Sequence, residues 1–313
     1  MERVETAQVL GSLAGVISNP PTGDTGSIDA APPSAPQREQ AISGGSCPTC
    51  ASAAGAAAPS FVYALGRIEA RFPRMSVEKE FAQVTGRSET VGLTDRQTLQ
   101  AVLSKPENRY LVRQMCWVLT IGGLDTYVLV PRDPGDFRFL IEALRPMPSP
   151  MDLDVVIGLK GPIAPQEMCN GLMVPIAAFD QVYSFDRDAL IKAIPRPEKT
   201  AAKDFAPVAE ELFDRIMQMT DNAGSTDDHR ALNYLAVRYH RVYQAVAEAF
   251  ARNESLTGVE VRPSPLSGTR KVLEVIFSFT NRNTDVVTRF YVRVDVTEEF
   301  PFLVSKLAPF YDR

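Results

Sequence analysis

Four cysteines are the residues of this 313-residue sequence whose type and spacing point most directly to chemistry. Cys47 and Cys50 form a Cys-x-x-Cys pair on a turn of small residues, a spacing that lets two thiolates converge on one metal ion. A tetrahedral zinc site needs two more ligands, and Cys116 and Cys169 are the remaining cysteines. The sequence therefore predicts one structural Zn²⁺ ion held by all four thiolates, with no open position for a catalytic water.

Two other interpretations of the cysteines remain open. Cys116 lies in an apolar run and fits an ordinary buried thiol, in which case Cys169 is a loop thiol. Cys47 and Cys50 also fit a redox pair, although no thioredoxin-like βαβ pattern surrounds them. Disulfides are less expected than ligands or buried thiols, because thiols stay reduced in the cytoplasm, the compartment that the composition favours.

No other pattern indicates a catalytic site. His229 and His240 are the two histidines, and the sequence places both on one predicted helix, about 16 Å apart along its axis. That separation is too large for the two side chains to share a metal ion. Asp152 and Asp154 share one face of a predicted strand. They fit either paired carboxylates or a solvated strand start, and the second interpretation is favoured.

Charge and hydropathy exclude several classes of partner. The net charge of −5 leaves no excess of Lys and Arg to neutralise phosphates, which argues against nucleic acid and anionic membranes. No apolar run approaches the roughly 20 residues that a membrane-spanning helix needs. Residues 7–17 are mildly apolar but lack the cationic start of a secretory signal. The sequence therefore predicts a cytoplasmic protein that binds neither membrane nor nucleic acid.

The first 45 residues are predicted to form a disordered leader. The chain contains no aromatic residue before Phe61, and this part is rich in Ala, Pro and Ser. Without large apolar side chains, burial cannot offset the conformational entropy lost on ordering. The folded domain is therefore predicted over residues 46–313, with a subdivision near Pro195 as an alternative.

Short β-rich segments and helices must position Cys116 and Cys169. Thr94 and Gln97 have the spacing of a capping box and predict a helix start. The β-rich runs on either side of Gly122 and Gly123 predict a hairpin. The predicted strands of the first half cover residues 61–65, 110–120, 126–131, 154–159 and 174–185.

The second half begins with two long amphipathic helices, predicted over residues 205–221 and 226–253. Three β-rich runs follow, at residues 258–262, 272–280 and 286–296, and Asn281 starts the turn between the last two. Strands joined by tight turns, with helices gathered between two β-rich regions, predict an α+β fold. Its expected form is antiparallel sheet regions around a central pair of long helices, stapled by zinc.

Several long segments resemble a known protein family. They are residues 61–69, 76–81, 92–96, 116–120, 168–172, 213–217, 233–238 and 294–300. Together they resemble the C-terminal domain of unknown function of cyanobactin maturation proteins of the PatG and PatA type, in a stand-alone bacterial version. The resemblance implies association with ribosomal peptide natural-product biosynthesis, a fold with bound zinc and a homodimer. It implies no macrocyclisation activity, because this chain lacks the subtilisin-like protease part.

Three hypotheses about function follow. The leading one is a non-catalytic, zinc-stabilised binding or scaffolding domain whose open sheet accepts a precursor peptide or another biosynthetic protein. The alternative is an enzyme that acts on a modified peptide through a cryptic zinc or cysteine site. The third is a structural partner of another biosynthetic subunit, tethered by the acidic leader.

Overall fold

Five strands of the computed structural model close into a barrel. They are β1 (Phe61–Arg71), β2 (Cys116–Ile121), β3 (Leu124–Pro131), β4 (Asp152–Ile163) and β5 (Pro175–Asp186), in the spatial order β1-β2-β3-β5-β4. The structure describes residues 59–86, 92–197, 202–219 and 221–311. The predicted hairpin at Gly122 and Gly123 joins β2 to β3, and both glycines have the positive φ that a tight turn requires.

The barrel closes through one parallel pairing, between β3 and β5. The other strand pairings described are antiparallel, so the predicted antiparallel sheet regions are confirmed except at this place. The chain leaves β3, forms β4 beside β1, and returns as β5 in the gap between β4 and β3. Gly158 lies at a bulge in β4, where an added Cβ would overlap the carbonyl oxygen of Ala178. The close approach of β4 and β5 thus depends on a missing side chain.

Four short helices pack on the barrel. They are α1 (Met75–Thr85), α2 (Asp95–Leu103), α3 (Arg109–Gln114) and α4 (Phe137–Ala143). The predicted capping box at the start of α2 is confirmed, since the Thr94 side chain accepts from the amide of Gln97 and the Gln97 side chain accepts in return. The β assignment of residues 110–114 is wrong. A 3₁₀ turn at Pro106–Asn108 runs directly into α3, and the Asn108 side chain fixes it by donating to the carbonyl of Val102.

The second sheet is open. It contains β6 (Glu254–Pro263), β7 (Val272–Asn281), β8 (Val287–Asp295), β9 (Phe302–Leu303) and β10 (Ala308–Pro309), in the order β10-β8-β7-β6, with β9 also paired to β8. The predicted turn at Asn281 is confirmed, because its side-chain oxygen accepts from the amides of Asn283 and Thr284. This hairpin sets the register of β7 and β8.

The barrel and the open sheet share a hydrophobic core with α5 (Arg187–Ala193), α6 (Ala202–Met217), α7 (Asp227–Arg238) and α8 (Arg241–Ala251). The predicted single helix over residues 226–253 is interrupted at Tyr239, whose φ of −123° and ψ of 80° are not helical. The Tyr239 hydroxyl accepts from the amide of Leu307, and the Tyr243 hydroxyl donates to the carbonyl of Ala236. The predicted central pair of long helices is therefore a group of three.

The connection between α6 and α7 docks directly on the barrel. The side-chain nitrogen of Asn233 lies 2.8 Å from the carbonyl oxygen of Tyr63 in β1, and Asn222 donates to Asn233 over 2.7 Å. Gly224 has a φ of +69°, accepts from the amide of Tyr63, and has no room for a Cβ against β1. These buried polar contacts fix the helical layer on β1.

The α+β class is confirmed, and residues 57–313 form one compact unit. The leader predicted over residues 1–45 lies outside the described residues and stays a prediction, as does the subdivision near Pro195. Among the described residues, none of the helices combines the length and the apolar character needed to cross a membrane.

Candidate functional site

Cys116 and Cys169 are joined in a disulfide bond. Cys116 is the first residue of β2, and Cys169 begins a 3₁₀ turn in the connection between β4 and β5. Both are buried, in a cluster with Val118 of β2 and Val128 of β3. The expectation that a disulfide is less favoured than a ligand or a buried thiol is therefore wrong for this pair. The barrel brings together residues 53 positions apart, which sequence spacing could not show.

The turn that carries Cys169 has an unusual backbone. Cys169 and Asn170 have φ values of 52° and 56°, and Gly171 follows with a φ of 82°. Left-handed conformations are uncommon for residues with a Cβ, so the turn stores strain at Cys169 and Asn170. Two backbone hydrogen bonds hold it: the amide of Gly171 donates to the carbonyl of Met168 over 3.2 Å, and that of Leu172 to the carbonyl of Cys169 over 3.3 Å. The strained turn directs the Cys169 sulfur towards β2.

A cavity of 330 Å³ borders the disulfide. Its walls include Trp117 and the charged residues Arg74, Arg113 and Glu167. If the disulfide is reduced, its two sulfurs lie side by side at the edge of this cavity. The pair can therefore supply two converging sulfur ligands.

The predicted four-cysteine zinc site is only half described. Cys116 and Cys169 are brought together, whereas Cys47 and Cys50 lie outside the described residues. Within the described ranges, no group of three or more His, Cys, Asp and Glu side chains is placed to hold a metal ion. The disulfide form cannot ligate zinc, because both sulfurs are bonded to each other. A zinc site with these residues thus requires reduced thiols and the leader pair.

The two histidines lie on separate helices. The backbone amide of His229 donates to the Thr226 hydroxyl, which caps α7, whereas His240 precedes α8. The predicted placement on a single helix is therefore wrong.

The two aspartates of β4 have different environments. Asp152 pairs with Arg145 and accepts from the amide of Ser149. Asp154 is buried and accepts from the amide of Ile68 over 2.7 Å and from the hydroxyl of Ser184. Burial raises the pKa of Asp154, while these two hydrogen bonds act in the opposite direction. The interpretation of Asp154 as a solvated strand start is therefore wrong, and its carboxyl joins three strands of the barrel.

The open sheet exposes one long edge, along β6. Within the described residues, β7 is the only strand that pairs with β6. The amide of Ser264 donates to the carbonyl of Val272 in the ladder with β7. In an antiparallel pair, every second residue of a strand directs its main-chain N–H and C=O groups to the partner, and the residues between direct theirs away. The N–H and C=O groups of Val259 and Val261 therefore point away from β7. Arg215 of α6 donates to the carbonyl of Leu256 and covers the beginning of the edge.

A charged junction lies where the segment after β8 meets the barrel. Arg132 is 2.5 Å from Asp180 and 3.7 Å from Glu299. Buried Arg230 donates to the carbonyls of Val296, Glu298 and Glu299. Burial raises the pKa of Glu299 to about 7, and the adjacent Asp180 carboxylate adds to the rise. Sequence reasoning missed this junction, since its members come from distant elements.

Comparisons with known proteins find a family model and a solved structure that are similar to this chain. Residues 199–310 match the family model described as PatG C-terminal. A solved structure titled "PatG Domain of Unknown Function" is similar over 80% of this chain and 98% of its own, with a TM-score of 0.65 and 20% sequence identity. At this identity the likeness establishes the fold. No curated protein matches the chain.

Proposed function

We propose that this chain, whose residues 199–310 carry a PatG C-terminal-type domain, is a non-catalytic binding or scaffolding domain for cyanobactin-like peptide maturation. The free edge of β6 is the observation that carries this proposal. In this role the edge accepts an extended peptide as an additional strand. Main-chain hydrogen bonds then supply the affinity, while the alternating side chains of the peptide supply selectivity.

The outward-facing groups of Val259 and Val261 offer two donors and two acceptors at the exposed part of the edge. The barrel offers no such site, because each of its strands is paired on both sides. Among the strands that the structure describes, strand addition is therefore confined to the open sheet.

Charge next to the edge favours a basic peptide. A cavity of 710 Å³ lies along α6 and contains Glu210, Glu211 and Asp214 in addition to Arg215. Because Arg215 also contacts Leu256, this acidic surface adjoins the start of the β6 edge. A peptide that pairs with β6 and carries lysine at that end would gain electrostatic attraction.

Replacement of one edge residue tests strand addition. The probe is a fluorescently labelled, C-terminally amidated octapeptide of alternating valine and lysine, and binding is measured by fluorescence anisotropy. Val261→Pro removes an outward amide without breaking a bond to β7, so it should weaken binding about tenfold. Val261→Ala is the matched control, because it shortens the same side chain and keeps the amide. Equal affinity of the two variants would contradict the proposal.

The same probe tests the contribution of charge. An octapeptide of alternating valine and glutamate has equal length and strand propensity at similar hydrophobicity, but opposite charge. We expect it to bind several-fold more weakly than the lysine peptide, and the difference should shrink at high salt. Glu210→Gln removes one negative charge from this surface, so the affinities of the two peptides should differ less for this variant.

The structural zinc remains part of the proposal, in the reduced state of the protein. Cys116 and Cys169 fit two neighbouring ligands, with Cys47 and Cys50 as the other two. Four thiolates close the coordination shell, so the ion would stabilise the fold and leave no position for a water molecule. Elemental analysis of the reduced full chain should find about one Zn²⁺, and Cys169→Ser should lower the occupancy. Absence of zinc from the reduced protein would refute the site.

A homodimer is also proposed, on the family resemblance. Light scattering across a range of protein concentrations should give twice the chain mass. If Val261→Pro converts the dimer to a monomer, the β6 edge belongs to the dimer interface and is not a peptide site. If the variant remains dimeric, the edge stays available for a peptide.

A further inference from the structure

We infer that the outer face of the open sheet carries a second ligand site, a pocket that binds the carboxylate of a hydrophobic residue. The pocket has a volume of 510 Å³, within the range typical of small-molecule sites. It lies between β6, β8 and the segment that follows β10. The observations that carry the inference are a line of charged side chains, aromatic walls and an exposed apolar rim.

The charged line crosses three strands. Arg262, Glu274 and Arg293 are direct cross-strand neighbours, on β6, β7 and β8 respectively. Arg262 lies 3.2 Å from one oxygen of Glu274 through both Nε and Nη2. Arg293 contacts the other oxygen through Nε at 2.9 Å and Nη2 at 2.8 Å. The Ser264 hydroxyl donates to the same oxygen. The buried Glu274 carboxylate thus holds both guanidinium groups in fixed orientations.

The arginines keep unused binding capacity. Two positive charges face one negative charge, so the pocket lining retains one net positive charge. Among the described residues, the Nη1 nitrogens of Arg262 and Arg293 have no hydrogen-bond acceptor. The Glu274 side chain is only 3% exposed, whereas those of Arg262 and Arg293 are 40% and 23% exposed. A ligand can therefore reach the two cations while the internal anion stays covered.

Aromatic rings support both cations. Arg262 lies 4.7 Å from the centre of the Phe310 ring, and Arg293 lies 4.9 Å from that of Tyr291. The two rings contact each other edge to face at 5.8 Å. Such stacking restricts the guanidinium planes, so less conformational entropy is lost when an anion binds.

The rim defines the rest of the ligand. Leu266 and Tyr311 line the pocket although they are 61% and 79% exposed, which leaves apolar surface at its mouth. One net positive charge suits a monoanion such as a carboxylate, and the planar guanidinium matches its geometry. An apolar body beside the carboxylate would cover the exposed rim. The expected ligand therefore combines a carboxylate with an adjacent apolar side chain. A free hydrophobic amino acid and a peptide that ends in one both have this chemistry.

Paired ligands test the inference by calorimetry with the full chain. N-acetyl-Ala-Leu-Phe with a free carboxylate should bind at least tenfold more tightly than its C-terminal amide. N-acetyl-phenylalanine serves as a third ligand, and comparable affinity for it would identify a single residue as sufficient. Equal binding of the acid and the amide, or no binding of either at millimolar concentration, would overturn the inference.

Two variants assign the effect to this pocket. Arg262→Gln removes one guanidinium and leaves Glu274 paired with Arg293, so the acid should bind about tenfold more weakly. Leu266→Glu adds a negative charge at the exposed rim, away from the core. It should also weaken binding of the acid about tenfold. Arg241→Gln on α8 is the control for the change in net charge. If Arg262→Gln binds the acid as tightly as Arg241→Gln does, the pocket is not the site.

The site is independent of strand addition at β6. The acid should bind normally to Val261→Pro, and the amidated octapeptide should bind normally to Leu266→Glu. If Val261→Pro abolishes binding of the acid while Arg262→Gln leaves it unchanged, the carboxylate lies at the edge and the inference is wrong.

Discussion

The closed barrel and the open sheet solve the problem of unpaired strand edges in opposite ways. In the barrel every strand is paired on both sides, and closure abolishes the edge. In the second sheet, β6 ends the described pairing with outward main-chain groups at Val259 and Val261. The barrel therefore offers stability without a pairing surface, and the sheet offers the pairing surface.

The two regions also differ in where they place their charged groups. The barrel buries Asp154 and uses its carboxyl internally, between Ile68 and Ser184. The sheet buries Glu274 as well, but there the carboxylate orients two arginines that remain accessible. The buried acid of the barrel thus holds strands together, whereas the buried acid of the open sheet holds two arginines that are accessible to solvent. This difference is the basis for locating both proposed ligand sites on the open sheet.

Two strand glycines test the comparison most strongly. Gly158 in the barrel and Gly258 in the sheet both lie at bulges. An added Cβ at Gly158 would overlap the carbonyl of Ala178 and lie 2.5 Å from Cα of Phe179. At Gly258 the nearest atom would be 3.8 Å away, in Ser278. Chemical denaturation should show a loss of about 4 kcal/mol for Gly158→Ala and little change for Gly258→Ala. Equal losses would contradict the contrast in packing.

Reduction of the disulfide should affect the barrel next most strongly. The Cys116–Cys169 bond closes a long loop, so its loss should lower the free energy of unfolding by about 3 kcal/mol. Trp117, the single tryptophan, is buried beside Cys116 and reports barrel unfolding by fluorescence. Cys169→Ser should behave like the reduced protein without zinc. If added Zn²⁺ restores stability to the reduced wild type but not to this variant, the zinc proposal is supported; a lack of restoration contradicts it.

The contact between the helical layer and the barrel should have a smaller but clear effect. Asn233→Ala removes the donor to the carbonyl of Tyr63 and the partner of Asn222, both in buried positions. Leaving these groups unsatisfied should cost about 2 kcal/mol of unfolding free energy. Gln83→Ala, on the exposed side of α1, is the control and should change little. A loss no greater than that of Gln83→Ala would show that this contact does not hold the layers together.

The charged junction predicts the smallest effect, in the pH dependence of stability. The pKa of Glu299 is about 7, against 4.5 for an ordinary glutamate, so the folded state holds this proton more tightly than the unfolded state. The resulting stabilisation is complete below pH 4.5 and is lost as the pH rises to about 7. Glu299→Gln mimics the protonated acid, so at pH 8 the variant should be about 1 kcal/mol more stable than the wild type.

Denaturation curves between pH 5 and pH 8 test this prediction. The stability of Glu299→Gln relative to the wild type should rise across this range, whereas that of the exposed neighbour Glu298→Gln should stay constant. A relative stability of Glu299→Gln that stays constant or falls as the pH rises would mean that the pKa of Glu299 is not raised in the folded protein. The pairing with Arg132 would then outweigh the burial.

The sequence by itself determined the local features of this fold. Thr94 caps a helix as predicted, and Asp186 and Thr226 cap helices in the same local way, because each accepts from an amide only three residues away. The turns at Gly122 and Asn281 were also predictable from local sequence, because the residue types at these positions favour a turn of the backbone. The α+β class follows from the order of these elements.

Only the tertiary structure decided which distant residues meet. The Cys116–Cys169 bond depends on the path of the chain between β4 and β5, and the line Arg262–Glu274–Arg293 depends on the register of three strands. A shift of one residue in any of these strands would turn its side chain to the opposite face. The helix break at Tyr239 also depends on a distant residue. The Tyr239 hydroxyl accepts a hydrogen bond from the amide of Leu307, and helix propensity does not predict a break at this position. Strand order and register arise from cooperative packing of the whole core, which no local pattern encodes.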